Sequence, residues 1–172
     1  MSQAESKVEW CLRKAVKETS EGKVHKGLIR ISPEIIESRK HILKGEHYIF
    51  ASEHLLKGGF SDVAASTLFY AGYHALLAIC NSFGYESRNQ ECTFSLIYWL
   101  IEERKIGLKK ELVEKMAVLE SAKGEETTSR QLREQYQYGT ELSLPNDMYK
   151  DILQLARELL SEAREIVESE IK

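Results

Sequence analysis

The chain is short of the residues that punctuate folds built from short elements. Its 172 residues include two prolines, Pro33 and Pro145, and its ten glycines stand singly apart from the pair Gly58-Gly59. A β-sandwich or barrel needs turn signals at short, regular intervals. Long stretches without Pro or Gly favour helices instead. Cysteine is scarce as well. Cys11, Cys80 and Cys92 are widely spaced and form no Cys-x-x-Cys pair, so neither a zinc site nor a disulfide framework is expected. An odd cysteine count and a charged N-terminus without an apolar leader point to a reducing, cytoplasmic setting. Familiar chemical signatures are missing too. There is no Glu-x-x-His of di-iron bundles, no His-Glu-x-x-His, no glycine-rich phosphate loop and no Gly-x-Ser-x-Gly elbow. His47 and His54 share a helix face near Glu46 and Glu53, but further ligands cannot be placed from the sequence. No metal and no other cofactor is therefore expected.

What is present is the composition of one globular domain, 42% apolar and 30% charged. The net charge of -3 makes the chain as a whole no magnet for nucleic acid. The charge is uneven: residues 1-60 carry 11 Lys/Arg against 8 Asp/Glu, and residues 61-172 carry 13 against 19. The basic patch of Arg13, Lys14, Lys17, Lys23, Lys26 and Arg30 suits phosphate. Its plainer reading is a solvated helix face and loop. Val63 to Tyr85 has no formal charge over 23 residues, long enough to span a bilayer. Its Ser66, Thr67, Tyr70, Tyr73, His74, Asn81 and Ser82, and its lack of Lys/Arg flanks, fit a buried bundle helix better. No membrane association is expected.

Periodicity predicts about five to six helices in an all-α, up-and-down bundle. Residues 1-31 form an N-terminal helix and connection, and residues 32-172 the bundle core. The first helix covers about 3-19, with Val8, Leu12, Ala15 and Val16 on one face. Residues 20-31 read as a polar, basic connection. Ser32 as cap and Pro33 at the first position open the second helix. In it, Ile35, Ile42, Ile49 and Leu56 repeat at seven, as do Ile36, Leu43 and Phe50; the two columns predict one inward stripe. Ser61 or Asp62 caps the third helix, where Ala64, Ala71 and Ala78, and Ala65, Gly72 and Ile79, form columns of mostly small residues. Gly72 costs about 1 kcal/mol relative to Ala in a helix, which a close contact would offset. Gly84 ends that helix, and residues 84-91 read as a polar loop. Helices at about 92-104 and 108-121 follow, then an irregular stretch to 144 with a short helix at Ser129 to Tyr136. The last helix starts at Pro145-Asn146 and carries a stripe of Ile152, Leu155, Leu159, Ala163 and Ile166.

The segment from Ala51 to Ala65, followed by Phe69, Tyr70, Ala71, Tyr73, His74 and Ala75, resembles the HEPN superfamily. Its closest branch has a Tyr-Tyr-Ala-x-Phe-His-Ala core. Gly84 with Asn89 to Cys92, and Leu132-Arg133 with Tyr136 and Tyr138, extend the resemblance over about residues 35-170. It implies a bundle of about five helices that forms homodimers in a prokaryotic setting. It also implies pairing with a minimal nucleotidyltransferase in a toxin-antitoxin-like system. Active members are metal-independent ribonucleases with an Arg followed, four to six residues later, by a His. No Arg here stands in that relation to a His: Arg39 and His47, the nearest case, have seven residues between them. Thr67 also stands where the branch often has Arg, and Gln90 replaces a loop His.

His74 is the leading candidate for chemistry: mid-helix, four residues after Tyr70 and beside Tyr73, it suits a general base or a stacked ligand contact. A core histidine bonded to a neighbouring helix is the simpler alternative. Arg133 with Tyr136 and Tyr138 suits a nucleotide's phosphate and base, or else ordinary packing. Arg88-Asn89 suits phosphate, or else solvent. The function expected is a non-catalytic HEPN-type interaction module, homodimeric and binding a nucleotidyltransferase and/or nucleotide. Two alternatives stand beside it. One is a divergent metal-independent ribonuclease acting on RNA through His74 with Arg88 or Arg133; the other is a nucleotide-binding sensor.

Overall fold

A computed structural model describes residues 2-120 and 142-170. Within them lie six helices: α1 (Gln3–Ser20), α2 (Ile35–Lys57), α3 (Ser61–Ser82), α4 (Gln90–Glu102), α5 (Lys110–Glu120) and α6 (Asn146–Ser169). Two short strands, β1 (Leu28–Arg30) and β2 (Tyr85–Ser87), pair antiparallel. The expected helical bundle is therefore the observed architecture. The expected helix at Ser129 to Tyr136 lies outside the described residues.

α3 is the centre. It packs on α2, α6, α4 and α5, and twelve of its residues are buried, from Ala64 to Ser82. Its length and hydropathy match a membrane-spanning helix, but more than half of that stretch is buried inside the bundle. Small residues bring those neighbours close. A Cβ on Gly72 would meet Met116 Sδ at 3.0 Å and Leu159 Cδ1 at 3.2 Å, so the glycine admits α5 and α6 side chains. A Cβ on Gly45 would lie 2.5 Å from Leu160 Cδ2 and 3.0 Å from the Ala71 carbonyl oxygen. Ser38, Gly45 and Ser52 are all buried on α2 and repeat at seven. Ser52 Oγ donates to the Ala64 carbonyl and shares a 3.0 Å hydrogen bond with the Tyr149 hydroxyl, tying α2, α3 and α6 together.

This small-residue column overturns the expected packing of α2. Ile42 is 4% exposed, but Ile36, Leu43 and Phe50 are 70%, 62% and 69% exposed. Both heptad columns are apolar, yet the face that fits closest to α3 is the one without bulk. α2 therefore turns Ser38, Gly45 and Ser52 inward and Leu43 outward. Three exposed ion pairs along the α2–α6 seam fix an antiparallel register: Arg39 with Glu168, Glu46 with Arg164, and Glu53 with Arg157. Val16 likewise points outward, while Val8, Cys11 and Ala15 form the buried face of α1.

Local start signals yielded to tertiary partners. α2 begins at Ile35, not at Pro33, because the Ile31 and Glu34 N–H groups donate to the carbonyls of Gly84 and Asn81. Ser61 does not cap α3; its hydroxyl accepts from the Leu144 N–H at 2.8 Å. The two segments read as polar connections contain the β1–β2 ribbon, with Leu28 opposite Ser87 and Arg30 opposite Tyr85. Gly84, at φ 76°, ends the α3 turn and leads into β2.

The cysteines also correct expectation. Cys11 and Cys92 form a disulfide across 81 residues, joining α1 to α4. Their spacing carried no sign of it because helix packing, not sequence distance, sets them side by side. The cytoplasmic expectation loses the support it took from unpaired thiols. Cys80 is free and buried, and burial pushes its thiol up to about 12, so it stays protonated and unreactive.

Two predictions follow from this packing. Reducing the Cys11–Cys92 bond should lower unfolding free energy by about 2–4 kcal/mol, read from urea titrations with and without a dithiol. Gly45→Ala should cost about 1–3 kcal/mol in the same measurement, because the added methyl meets Leu160 and α3 backbone.

Candidate functional site

The α2–α3 seam gathers two histidines and two tyrosines. On α2, His41 and Tyr48 are seven apart and so share one face; on α3, Tyr70 and His74 are one turn apart. His41 Nδ1 and His74 Nδ1 lie 2.8 Å from each other. The Tyr48 ring stacks on His74 with centroids 5.4 Å apart and approaches Tyr70 at 6.0 Å. Lys44 Nζ lies 5.2 Å from the centre of the Tyr48 ring. The cluster is open on one side: Tyr70 is 46% exposed, and both histidines are half-buried.

A nitrogen-to-nitrogen contact of this kind needs one ring protonated at Nδ1 and the other bare there. Charging both would remove the acceptor and set two cations together. Burial, then the neighbouring His41, then Lys44 depress His74 to about 4. Burial also lowers His41, opposed by the carboxylate of Glu37. Both imidazoles are thus neutral near pH 7, with the Nδ1–H of one donating to the bare Nδ1 of the other. Among the described residues, no arginine is held against the two histidines to steady a phosphate. Among the described residues the charged group acting on His74 is Lys44, while Arg39 is engaged by Glu168 through two hydrogen bonds of 2.7–2.8 Å.

The other candidates are placed elsewhere. Asn89 is spent as the α4 cap, its side-chain oxygen accepting from the Cys92 N–H at 3.0 Å. Arg88 Nε donates to Glu86 at 2.6 Å, and the same Glu86 oxygen lies 3.3 Å from His25 Nε2. Arg88 is therefore part of a charge cluster on the β2 ribbon. His74 meets His41 and Tyr48 instead, so the structure pairs it with neither Arg88 nor Asn89. Arg133 and Tyr136 lie outside the described residues. Tyr73, next to His74, turns to the opposite side and hydrogen-bonds Thr93 on α4 at 2.9 Å. His47 and His54 stay exposed on α2, and no group of three or more metal-ligating side chains is assembled among the described residues. Sequence reasoning missed His41, Tyr48 and Lys44. The seven-residue spacing of His41 and Tyr48 was a usable signal, since two helical turns put both rings on one face of α2.

A second feature is the ridge that α2 turns to solvent, on a different face from His41 and Tyr48. Of the eleven large hydrophobics exposed among the described residues, six fall on α2, α3 and their turn: Ile36, Leu43, Phe50, Phe60, Val63 and Tyr70. Ile36, Leu43 and Phe50 align at seven on α2, and Val63 and Tyr70 align at seven on α3. An aligned column of exposed large apolar side chains on one helix is a candidate association face. Compared with known proteins, the chain matches no protein-family model and no curated sequence.

Titration of the seam has a definite sign. Histidines in the unfolded chain bind protons near pH 6.5, whereas His74 does so near 4. Below 6.5 the unfolded state therefore holds more protons. The stability from the neutral pair is complete above 6.5 and is lost as pH falls from about 6.5 to about 4. Urea midpoints measured down this range should fall, and His74→Asn should flatten the fall.

Proposed function

We propose that this protein is a non-catalytic interaction module that pairs with a second copy of itself through the outward ridge of α2. In that form it engages a minimal nucleotidyltransferase partner, a nucleotide, or both, in a prokaryotic toxin-antitoxin-like system. The observation that carries the reading is the column Ile36, Leu43 and Phe50, each more than 60% exposed on a helix that had a second column to bury. A helix that leaves three aliphatic and aromatic side chains in water, one below another, forgoes about 1.5–3 kcal/mol for each compared with burying it. A partner surface recovers that burial. The column is symmetric about Leu43, so two copies crossing there place Ile36 of each against Phe50 of the other, as a twofold contact requires. The resemblance of residues 35-170 to the HEPN superfamily supports the same reading and supplies the partner class.

Two features weigh against ribonuclease chemistry in this chain. The Arg and His spacing of the active members is absent. His74 is paired with another neutral imidazole and not with an arginine. Tyr48, Tyr70 and His74 offer flat surfaces for a nucleotide base on the α2–α3 seam.

Light scattering on the purified chain should give the mass of a dimer, and Leu43→Glu should give a monomer. Because Leu43 is 62% exposed, the variant should unfold within about 0.5 kcal/mol of the parent. A chain monomeric at every concentration that also fails to retain a minimal nucleotidyltransferase in a pull-down would refute the module reading.

A further inference from the structure

The basic patch of the first thirty residues plays no part in that function, and the structure gives it a second component. α1 buries Val8, Cys11 and Ala15, and the bond from Cys11 to Cys92 fixes which way the helix is turned. Trp10, the residue before Cys11, is thereby held outward and is 43% exposed. Lys7 Nζ lies 4.2 Å and Lys14 Nζ 5.3 Å from its ring centroid. Arg13 and Lys17 are exposed three and seven positions after Trp10, on the same side of the helix. From Lys7 to Lys17 this ridge runs roughly 15 Å. Glu91 balances Lys7, and Glu9 balances Arg13. Lys14 and Lys17 have no ion-pair carboxylate among the described residues. Lys26 and Arg30 are exposed beyond the helix.

We propose that this outward face of α1 binds single-stranded nucleic acid, with a base stacked on Trp10 and backbone phosphates met by Arg13, Lys14 and Lys17. An aromatic platform bracketed by ammonium groups fits a polymer that carries a flat ring and a fixed negative charge in every unit. Duplexes hide their ring faces, so the single strand is the form recognised. An anionic bilayer would use the same cations but would also need a continuous apolar helix face. α1 has already committed Val8, Leu12 and Ala15 to the bundle. The site is remote in sequence from the α2 ridge and independent of it, so either proposal can fail alone.

The test is fluorescence anisotropy of labelled oligouridylate titrated with the full chain, and circular dichroism on each variant. Binding is expected to weaken steeply between about 50 and about 200 mM salt, with a log-log slope of about -0.7 for each phosphate contacted. Trp10→Ala should weaken it by at least about fivefold. Lys17→Gln should weaken it and make the slope shallower by about 0.7. Three outcomes would overturn the proposal: no binding at about 50 mM salt; equal binding by Trp10→Ala with its helicity intact; or equally tight binding to an RNA hairpin or to phosphatidylserine vesicles.

Discussion

Close approach of backbones around α3 is the constraint on which the rest depends. Burying a 22-residue helix that is apolar on most sides requires neighbours on most sides. They can come near enough only where bulk is missing. Gly72 meets Met116 and Leu159, and Gly45 lies against Leu160 and the Ala71 carbonyl. Interiors pack at crystal-like density, so small columns decide which helix faces meet and bulky ones fill the gaps around them. The Ser52 hydroxyl, bonded to both Ala64 and Tyr149, then locks three helices at one depth.

That constraint creates the outward ridge of α2 and the α2–α3 seam. Once Ser38, Gly45 and Ser52 are inward, helical geometry carries Ile36, Leu43 and Phe50 outward, and the apolar ridge is a by-product of the closest packing. The same rotation sets His41 and Tyr48 beside Tyr70 and His74. Half-burial keeps both imidazoles neutral, which permits their 2.8 Å contact. On the far side, the disulfide performs for α1 what glycine performs for α2. It fixes a rotation, and that rotation puts Trp10 in water.

The six ionised side chains between α2 and α6 have a lesser role. Exposed pairs contribute at most about 1 kcal/mol each. Their spacing along two antiparallel helices selects one register over its neighbours, so their effect is mainly on specificity.

The sequence by itself determined the helices, their approximate limits and the central position of α3. Those rest on local signals: hydrophobic period, proline and glycine placement, and an uncharged run of 23 residues. It also singled out Tyr70 and His74 correctly as neighbours on one helix face. Tertiary structure alone decided which of two equally apolar columns on α2 is buried, because that choice depends on the bulk of residues on a different helix. It alone paired Cys11 with Cys92 and His41 with His74, and it took the Ser61 hydroxyl and the Glu34 N–H away from helix capping. Each of these joins residues far apart in the chain, and periodicity within one element holds no information about the element packed against it.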